Sequence, residues 1–148
     1  MFSQKAGFTA IVILLAGCVS FGSAHGPQFQ EADPPSSGHA VLYIYRPEKK
    51  FNSGGFPYIY LNDEKKLPMR MGGYMIFNLD PGRHEIKAVG STWGTNWWPG
   101  PASRVIELEA NQEYFVRVVP VGSPATLIET VPKNTALDEI YFTRLIQK

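Results

Sequence analysis

The chain has 148 residues, which is room for one domain. Its 14 lysines and arginines nearly balance its 13 aspartates and glutamates. A chain without a basic block lacks the electrostatic footprint of a nucleic-acid-binding protein, so we expect no nucleic-acid partner. The single cysteine excludes an internal disulfide. Fourteen glycines, twelve prolines and 13% aromatic residues are typical of short strands joined by turns.

Residues 1–17 have the pattern of a lipoprotein signal peptide. The apolar run from Ala6 to Ala16 is too short to cross a bilayer, which takes about 20 residues. It ends in Leu15-Ala16-Gly17-Cys18, which resembles the lipobox of bacterial lipoproteins. That resemblance implies cleavage before Cys18 and acylation of its thiol and new amino terminus, with palmitate among the chains. The alternatives are an ordinary signal peptide and an uncleaved anchor.

Two or more acyl chains hold a protein stably on a membrane, so we expect the membrane itself to be a partner of the protein. Val19 follows the cysteine. The lipoproteins that the lipobox resembles carry aspartate there when enteric bacteria retain them at the inner membrane. The resemblance therefore implies a lipid-anchored protein of the bacterial cell envelope, at the outer membrane and facing the periplasm.

Residues 18–38 predict a lipidated cysteine followed by a flexible tether. The run is rich in serine, glycine and proline and has no apolar periodicity. A flexible chain of about 20 residues has a root-mean-square span of about 25 Å. We therefore expect a domain of residues 39–148 that moves freely over the membrane surface.

Within the domain, β-branched and aromatic runs punctuated by turn residues predict about seven short strands. They are expected at residues 39–46, 56–61, 74–79, 83–88, 105–109, 114–120 and 125–131, with a short return at residues 66–69 after the second of them. Both faces of the first strand are apolar, so we expect both to be covered. Asp80-Pro81-Gly82 predicts a tight turn. Thr135-Ala136-Leu137-Asp138 resembles a capping box that opens a short helix.

The apolar stripe of that helix is expected to contain Leu137, Ile140, Tyr141 and Leu145. The fold class predicted is mainly β. We expect a small antiparallel β-sandwich, immunoglobulin-like or prealbumin-like, with a short C-terminal α-helix.

The order of several hairpin elements resembles the bacterial lipoproteins that carry domain of unknown function 2846. The elements are Tyr43-Ile44-Tyr45-Arg46-Pro47, Tyr60-Leu61-Asn62, Gly73-Tyr74, Leu79-Asp80-Pro81-Gly82-Arg83-His84 and Tyr114-Phe115-Val116-Arg117. The resemblance runs from about Ala40 to Ile140 and implies a small sandwich, with no catalytic residues to carry over. The chain departs from the family at Asn111, where a glycine is usual; asparagine can also adopt the left-handed conformation.

The sequence contains no recognisable catalytic or metal-binding set. Its three histidines, His25, His39 and His84, lack the spacing of metal ligands, and the lone cysteine lies in the lipobox. We expect no enzyme, no metal and no cofactor. His84 is expected on the inward face of a strand as a hydrogen-bonded side chain. An enzyme of unknown type centred on His84 is the least favoured hypothesis.

One stretch has more tryptophan than a turn between two strands requires: Trp93, Trp97 and Trp98 fall within six positions between glycines and prolines. Their faces could stack on sugar rings, anchor a protein interface or enter the membrane interface. Alternatively, at least one of them covers the end of the core. The function favoured is a non-enzymatic interaction module that binds an envelope protein. The alternative is a glycan- or peptidoglycan-binding lipoprotein that uses these tryptophans with Asn96.

Overall fold

The computed structural model describes residues 22–48, 56–90, 102–120 and 126–147. These residues form nine strands and one helix, which confirms a mainly β fold with a short C-terminal helix. In chain order the elements are β1 (Ala40–Arg46), β2 (Tyr58–Leu61), β3 (Glu64–Pro68), β4 (Gly73–Leu79), β5 (Gly82–Val89), β6 (Ala102–Leu108), β7 (Glu113–Pro120), β8 (Thr126–Val131), α1 (Lys133–Ile140) and β9 (Arg144–Leu145).

The strands form two sheets packed as a sandwich. One sheet has the order β8-β7-β1-β4-β9 and the other the order β3-β2-β5-β6. β1 pairs with β4 in antiparallel fashion but with β7 in parallel fashion, and β9 is parallel to β4. The five-stranded sheet is therefore mixed, whereas the sequence predicted antiparallel pairing throughout. Between β4 and β7 the chain forms β5 and β6, which belong to the four-stranded sheet. It then returns to the five-stranded sheet and enters β7 at the end where β1 begins, so β7 runs parallel to β1.

β1 is the central strand, and all seven of its residues are buried. Ala40, Leu42 and Ile44 face the four-stranded sheet and join the core between the two sheets. Val41, Tyr43 and Tyr45 face the opposite way and join a second core. The expectation that both faces of this strand are covered is confirmed. A strand with apolar side chains on both faces is stable only in the interior of a layered fold.

The second core lies on the outer face of the five-stranded sheet, under α1. Ala136 and Ile140 of the helix are fully buried there. The Tyr43 and Phe115 rings stack with their centroids 4.7 Å apart, and the Phe29 ring meets Tyr43 edge-on at 5.8 Å. The fold thus has three layers: the four-stranded sheet, the five-stranded sheet and an outer cover.

The N-terminal part of that outer cover, residues 22–38, is where the structure differs most from the sequence expectation. Ala24 and Phe29 are buried at 5% and 8% exposure. The Phe29 N–H donates to the Thr143 carbonyl (2.9 Å), and the Ala32 N–H donates to the Tyr43 hydroxyl (2.9 Å). The prediction of a flexible tether through residue 38 is therefore wrong from Gly22 onwards. Burial of the Phe29 ring and these hydrogen bonds offset the entropy lost by the segment.

The helix also departs from its prediction. It begins at Lys133 after Pro132, which has φ −57° and ψ 143°, and no side chain caps its first turn. The capping box at Thr135 is therefore wrong: the N-cap is Pro132, three residues earlier, and its fixed φ suits the entry to a helix. The predicted stripe ends at Ile140: Tyr141 is 57% exposed, and Leu145 lies in β9.

Local turn chemistry is confirmed where the sequence predicted it. Gly82 has φ 125° in the Asp80-Pro81-Gly82 turn, and Asn111 has φ 63°, the left-handed conformation expected of it. Asn62 and Asp63 have φ 51° and 65°, the signature of a type I′ hairpin between β2 and β3. The turn at Gly82 connects two strands that lie in different sheets, so it takes the chain across the sandwich.

The two ends of the sandwich differ. At one end, which we call the entry end, β4 begins, and the Ala24 N–H donates to the Met71 carbonyl at 3.0 Å. The ladder registers within each sheet, together with the short turn from β4 to β5 that relates the two sheets, place seven strand ends at this same end. They are the last residues of β1, β3, β5 and β7 and the first residues of β2, β6 and β8. The opposite end, which we call the far end, holds the hairpin at Asn62, the turn at Pro81 and the turn at Asn111.

Three tyrosines of the second core make the stability of the fold depend on pH in the alkaline range. Burial raises the pKa values of Tyr43, Tyr45 and Tyr74 above the ordinary 10.0. Above that pH the native state holds protons that the unfolded chain has lost, so stability falls as pH rises further. We therefore expect these three phenols to ionise only as the fold is lost. A single pH titration measures both events: tyrosinate absorbance follows ionisation, and circular dichroism follows the fold. Ionisation of all three near pH 10 with an unchanged fold would contradict this assignment.

Candidate functional site

The sandwich is closed on one side and open on the other. On the closed side β6 lies against β8. On the open side a groove of about 270 Å³ lies between β3 and β4. Its floor consists of the apolar side chains Leu67, Met75, Phe77 and Ile146. An apolar floor with charged residues at its rim is the usual composition of a binding site for a small molecule or a side chain.

The groove exists because β9 is only two residues long. It pairs with Gly73 and Tyr74, and the Ile146 N–H donates to the Tyr74 carbonyl at 2.8 Å. Among the residues that the structure describes, no strand continues this pairing along β4 from Met75 to Leu79. An edge strand presents backbone donors and acceptors to which a further strand can pair. Ile76, 37% exposed, lies at this edge.

Two lysines stand at the rim of the groove. The Lys65 Nζ atom lies 3.8 Å from the centroid of the Tyr58 ring. The Lys66 Nζ atom pairs with a Glu64 carboxylate oxygen at 2.7 Å and lies 5.8 Å from the Phe77 ring centroid. Charged side chains on β3 discourage sheet-to-sheet aggregation at this open side. They also give the rim a positive balance that suits an acidic segment.

A polar network on the outer face connects β1, β7, β8 and α1. Arg117 donates through Nε to a Glu129 carboxylate oxygen at 2.7 Å and also pairs with Glu139. The Tyr45 hydroxyl donates to Glu139 at 2.8 Å. Burial lowers the pKa of Arg117, but the hydrogen bond and charges of Glu129 and Glu139 outweigh it and hold that pKa above its ordinary value. These groups satisfy one another, so we assign the network to stability.

A second ionic cluster connects the N-terminal segment to the rest of the outer cover. Lys133 of α1 pairs with Glu31 and with Glu113 at the start of β7. Its hydrogen bonds to Glu113 and Glu31 raise the pKa of Lys133. Ion pairs at half-exposed side chains contribute little stability, so this cluster orients the segment more than it stabilises it.

Arg46, at the end of β1, is a buried charge that the sequence did not single out. It is 2% exposed, and its guanidinium donates to the Met69 carbonyl at 3.2 Å. Burial lowers its pKa to about 10. The bond connects β1 to the chain between β3 and β4 at the entry end, so Arg46 positions that connection.

His84 has the structural surroundings expected of a hydrogen-bonded side chain. The Asn62 amide contacts its Nδ1 at 2.8 Å, and its Nε2 lies 2.9 Å from the Asp80 carbonyl oxygen. The Asn62 side-chain oxygen, Oδ1, accepts the Glu85 N–H at 3.0 Å, and this contact turns the side-chain amide nitrogen of Asn62 towards the His84 ring. His84 is therefore placed to accept at Nδ1 and donate at Nε2. The Nδ1 contact joins the hairpin turn at Asn62 to β5, and the Nε2 contact joins β5 to the turn at Pro81.

The other two histidines, His39 and His25, lie at opposite ends of the sandwich. His39 lies at the far end with Nε2 3.3 Å from an Asp80 carboxylate oxygen, and His25 is exposed at the entry end. Within residues 22–48, 56–90, 102–120 and 126–147, no group of three or more histidine, cysteine or acidic side chains could hold a metal ion.

The remaining predicted site residues fall outside the described part of the chain. These are Cys18, Trp93, Asn96, Trp97 and Trp98. β5 ends at Val89 and β6 begins at Ala102, and both of these residues lie at the entry end. In the described ranges no helix has the length and apolar character needed to cross a membrane.

The geometry defines a three-layer β-sandwich with one open, partly apolar side. Comparison with known proteins adds a family: residues 36–129 match the model described as "Protein of unknown function (DUF2846)". The match spans more than half of the chain, which therefore belongs to the DUF2846 family. It includes β1 to β7 and ends within β8, so the N-terminal segment and α1 lie largely or wholly outside it. No curated protein and no solved structure matches the chain.

The groove was missed by sequence reasoning. Its floor combines residues of β3 and β4 with Ile146, which lies just after β9. The one sequence signal was Glu64-Lys65-Lys66, a short charged run typical of an edge strand.

Proposed function

We propose that the protein is a lipid-anchored, periplasm-facing lipoprotein of the bacterial cell envelope that acts as a non-enzymatic interaction module. The observation that carries the interaction role is the free edge of β4 beside an apolar groove. The support for the anchor is the leader that ends in Leu15-Ala16-Gly17-Cys18. The acyl chains on Cys18 keep the module at the outer membrane, and the groove selects the partner.

The groove suits an extended segment of an envelope protein. Such a segment pairs its backbone with β4 from Met75 onwards, in line with β9. Strand addition provides affinity through main-chain hydrogen bonds, and a pocket for alternate side chains provides specificity. An apolar side chain of the segment then contacts Phe77 and Ile146, while an acidic side chain approaches Lys66.

Ile76→Glu tests this proposal. Ile76 is 37% exposed, so the change leaves the core intact, yet it places a negative charge at the groove. We expect crosslinking in intact cells to give a discrete adduct with the parent protein and about ten-fold less with the variant, since a loss of about 1.4 kcal/mol corresponds to that factor. The measurement is adduct yield on immunoblots, with membrane levels matched.

Val105→Glu is the matched control, because Val105 is 45% exposed but lies on β6, away from the groove. It is expected to keep the adduct. Equal adduct yields from the Ile76 and Val105 variants would exclude the groove as the binding site.

The same preparations separate the glycan alternative, which rests on the tryptophan-rich sequence. The measurement is retention of each variant on purified peptidoglycan. If the parent and Ile76→Glu are both retained but the Trp97→Ala, Trp98→Ala double variant is not, the partner is a glycan and not a protein.

A further inference from the structure

The chain reaches the folded domain at the entry end. The Met71 N–H donates to the Gly22 carbonyl at 3.1 Å, and Ser23 forms a bridge with Met71. Only three residues separate Gly22 from Cys18. Four peptide steps span at most about 14 Å, even when fully extended. A chain acylated at Cys18 therefore holds the entry end within about 14 Å of the lipid surface.

The sandwich is longer than the maximum span of this tether, and the difference determines which end of the domain can face the membrane. β1 has seven residues, and at about 3.3 Å per residue it is roughly 23 Å long. The far end cannot replace the entry end at the membrane without a longer tether. A tether of about 20 residues, as the sequence predicted, would impose no such preference.

An exposed aromatic pair lies on the side of the fold that this orientation turns towards lipid. Tyr141 and Phe142 are 57% and 70% exposed, and their rings meet edge-on at 5.2 Å. They lie in the turn before β9, whose first residue, Arg144, pairs with Gly73 at the start of β4. Tyrosine, like tryptophan, is enriched at the interface between hydrocarbon and water. Phenylalanine is among the apolar side chains that enter the boundary between headgroups and acyl chains. Neither ring contributes to either core.

The charges near this pair are compatible with a phospholipid surface. Arg144 is exposed and donates to the Gly26 carbonyl at 3.2 Å. Arg70, next to Met71, lies over the Phe56 ring at 5.4 Å. An acidic side chain, Glu48, lies against Gly72 at the same end. Cationic side chains at a membrane surface are attracted by anionic lipid headgroups.

We propose that the entry end of the sandwich lies on the phospholipid bilayer, with Tyr141 and Phe142 in the interfacial region. This inference rests on the proposed acylation of Cys18. The membrane contact combines the acyl chains with an aromatic pair, and it leaves the far end facing the aqueous compartment. The anchor thus orients the domain as well as retaining it.

Depth-dependent fluorescence quenching tests the orientation with the mature acylated protein in vesicles of phosphatidylethanolamine and phosphatidylglycerol. A fluorophore is attached through Phe142→Cys or, at the far end, through Glu109→Cys; the acylated Cys18 thiol does not react. With nitroxide-labelled lipids we expect the probe at position 142 to lose roughly half of its emission, because it lies at the interface. The probe at position 109 is expected to lose almost none.

A tether insert provides the second arm. A Gly/Ser insert of about 12 residues between Val19 and Ser20 frees the domain from the surface and should reduce quenching at position 142. Mass spectrometry of the N-terminal peptide establishes acylation in every sample. Acylated protein with equally weak quenching at positions 142 and 109 would overturn the orientation and leave the proposed function standing. Protein without acyl mass that fails to float with the vesicles would overturn both.

Discussion

Replacement of Cys18 by alanine is expected to move the protein from the membrane fraction to the soluble periplasm and to abolish acyl labelling. The thiol is the acceptor that the lipobox resemblance assigns, and the chain has no other cysteine. Each buried methylene of an acyl chain contributes about 0.8 kcal/mol, so loss of two or more chains removes essentially all membrane affinity. The measurement is metabolic labelling with a palmitate analogue, together with fractionation of cells that express each variant.

Val19→Asp is the informative control for that experiment. It preserves the cysteine, so acyl labelling should persist, while by the lipoprotein resemblance the protein should shift towards inner-membrane density in an enteric host. Unchanged membrane retention of the Cys18→Ala variant would contradict lipidation. It would favour an uncleaved anchor in residues 1–17 instead.

Replacement of Phe29 by alanine is expected to lower the free energy of unfolding by about 3 kcal/mol, at the lower end of the range for buried phenylalanines. The ring is 8% exposed and meets Tyr43 and Tyr74 edge-on at 5.8 and 5.2 Å. Its removal leaves a cavity under the outer cover and weakens the contact that holds residues 22–38 on the sheet. Denaturant unfolding of the chain from Val19 to Lys148 measures the change.

Phe142→Ala is the matched control for Phe29→Ala, because the same atoms are removed from a ring that is 70% exposed. Exposed substitutions of this kind usually change stability by no more than about 0.5 kcal/mol. If residues 22–38 were a free tether, Phe29→Ala would have an effect as small as that of Phe142→Ala. Equal unfolding free energies for the two variants would therefore exclude the packed segment.

The packed segment changes what an anchor at Cys18 does. A long tether would let the groove sample a wide volume above the membrane. With acyl chains on Cys18, a short tether from Gly22 would hold the groove near the lipid surface, because Ile146 on the groove floor lies two residues after Arg144 at the start of β9. A partner that binds the groove would then be met close to the membrane.

Several features could be predicted from the sequence because they depend on local chemistry. The apolar side chains on both faces of residues 40–46 predicted a strand covered on both sides, and β1 is buried throughout. Asp80-Pro81-Gly82 and Asn111 predicted the conformations they adopt, because backbone sterics act within a few residues. The mainly β fold and the short C-terminal helix follow from the same local patterns.

The tertiary structure alone decided which strands pair and what covers them. Phe29 stands in a stretch rich in proline and glycine, and nothing in that stretch shows that Tyr43 and Tyr74 present an open aromatic face to it. The parallel pairing of β1 with β7 joins residues about 70 positions apart in the chain. In the part of the chain that the structure describes, β9 stops after two residues, and the groove lies where the rest of the β4 edge has no strand beside it. Sequence periodicity reports which face of a strand is apolar; the partner for that face is set by contacts distant in sequence.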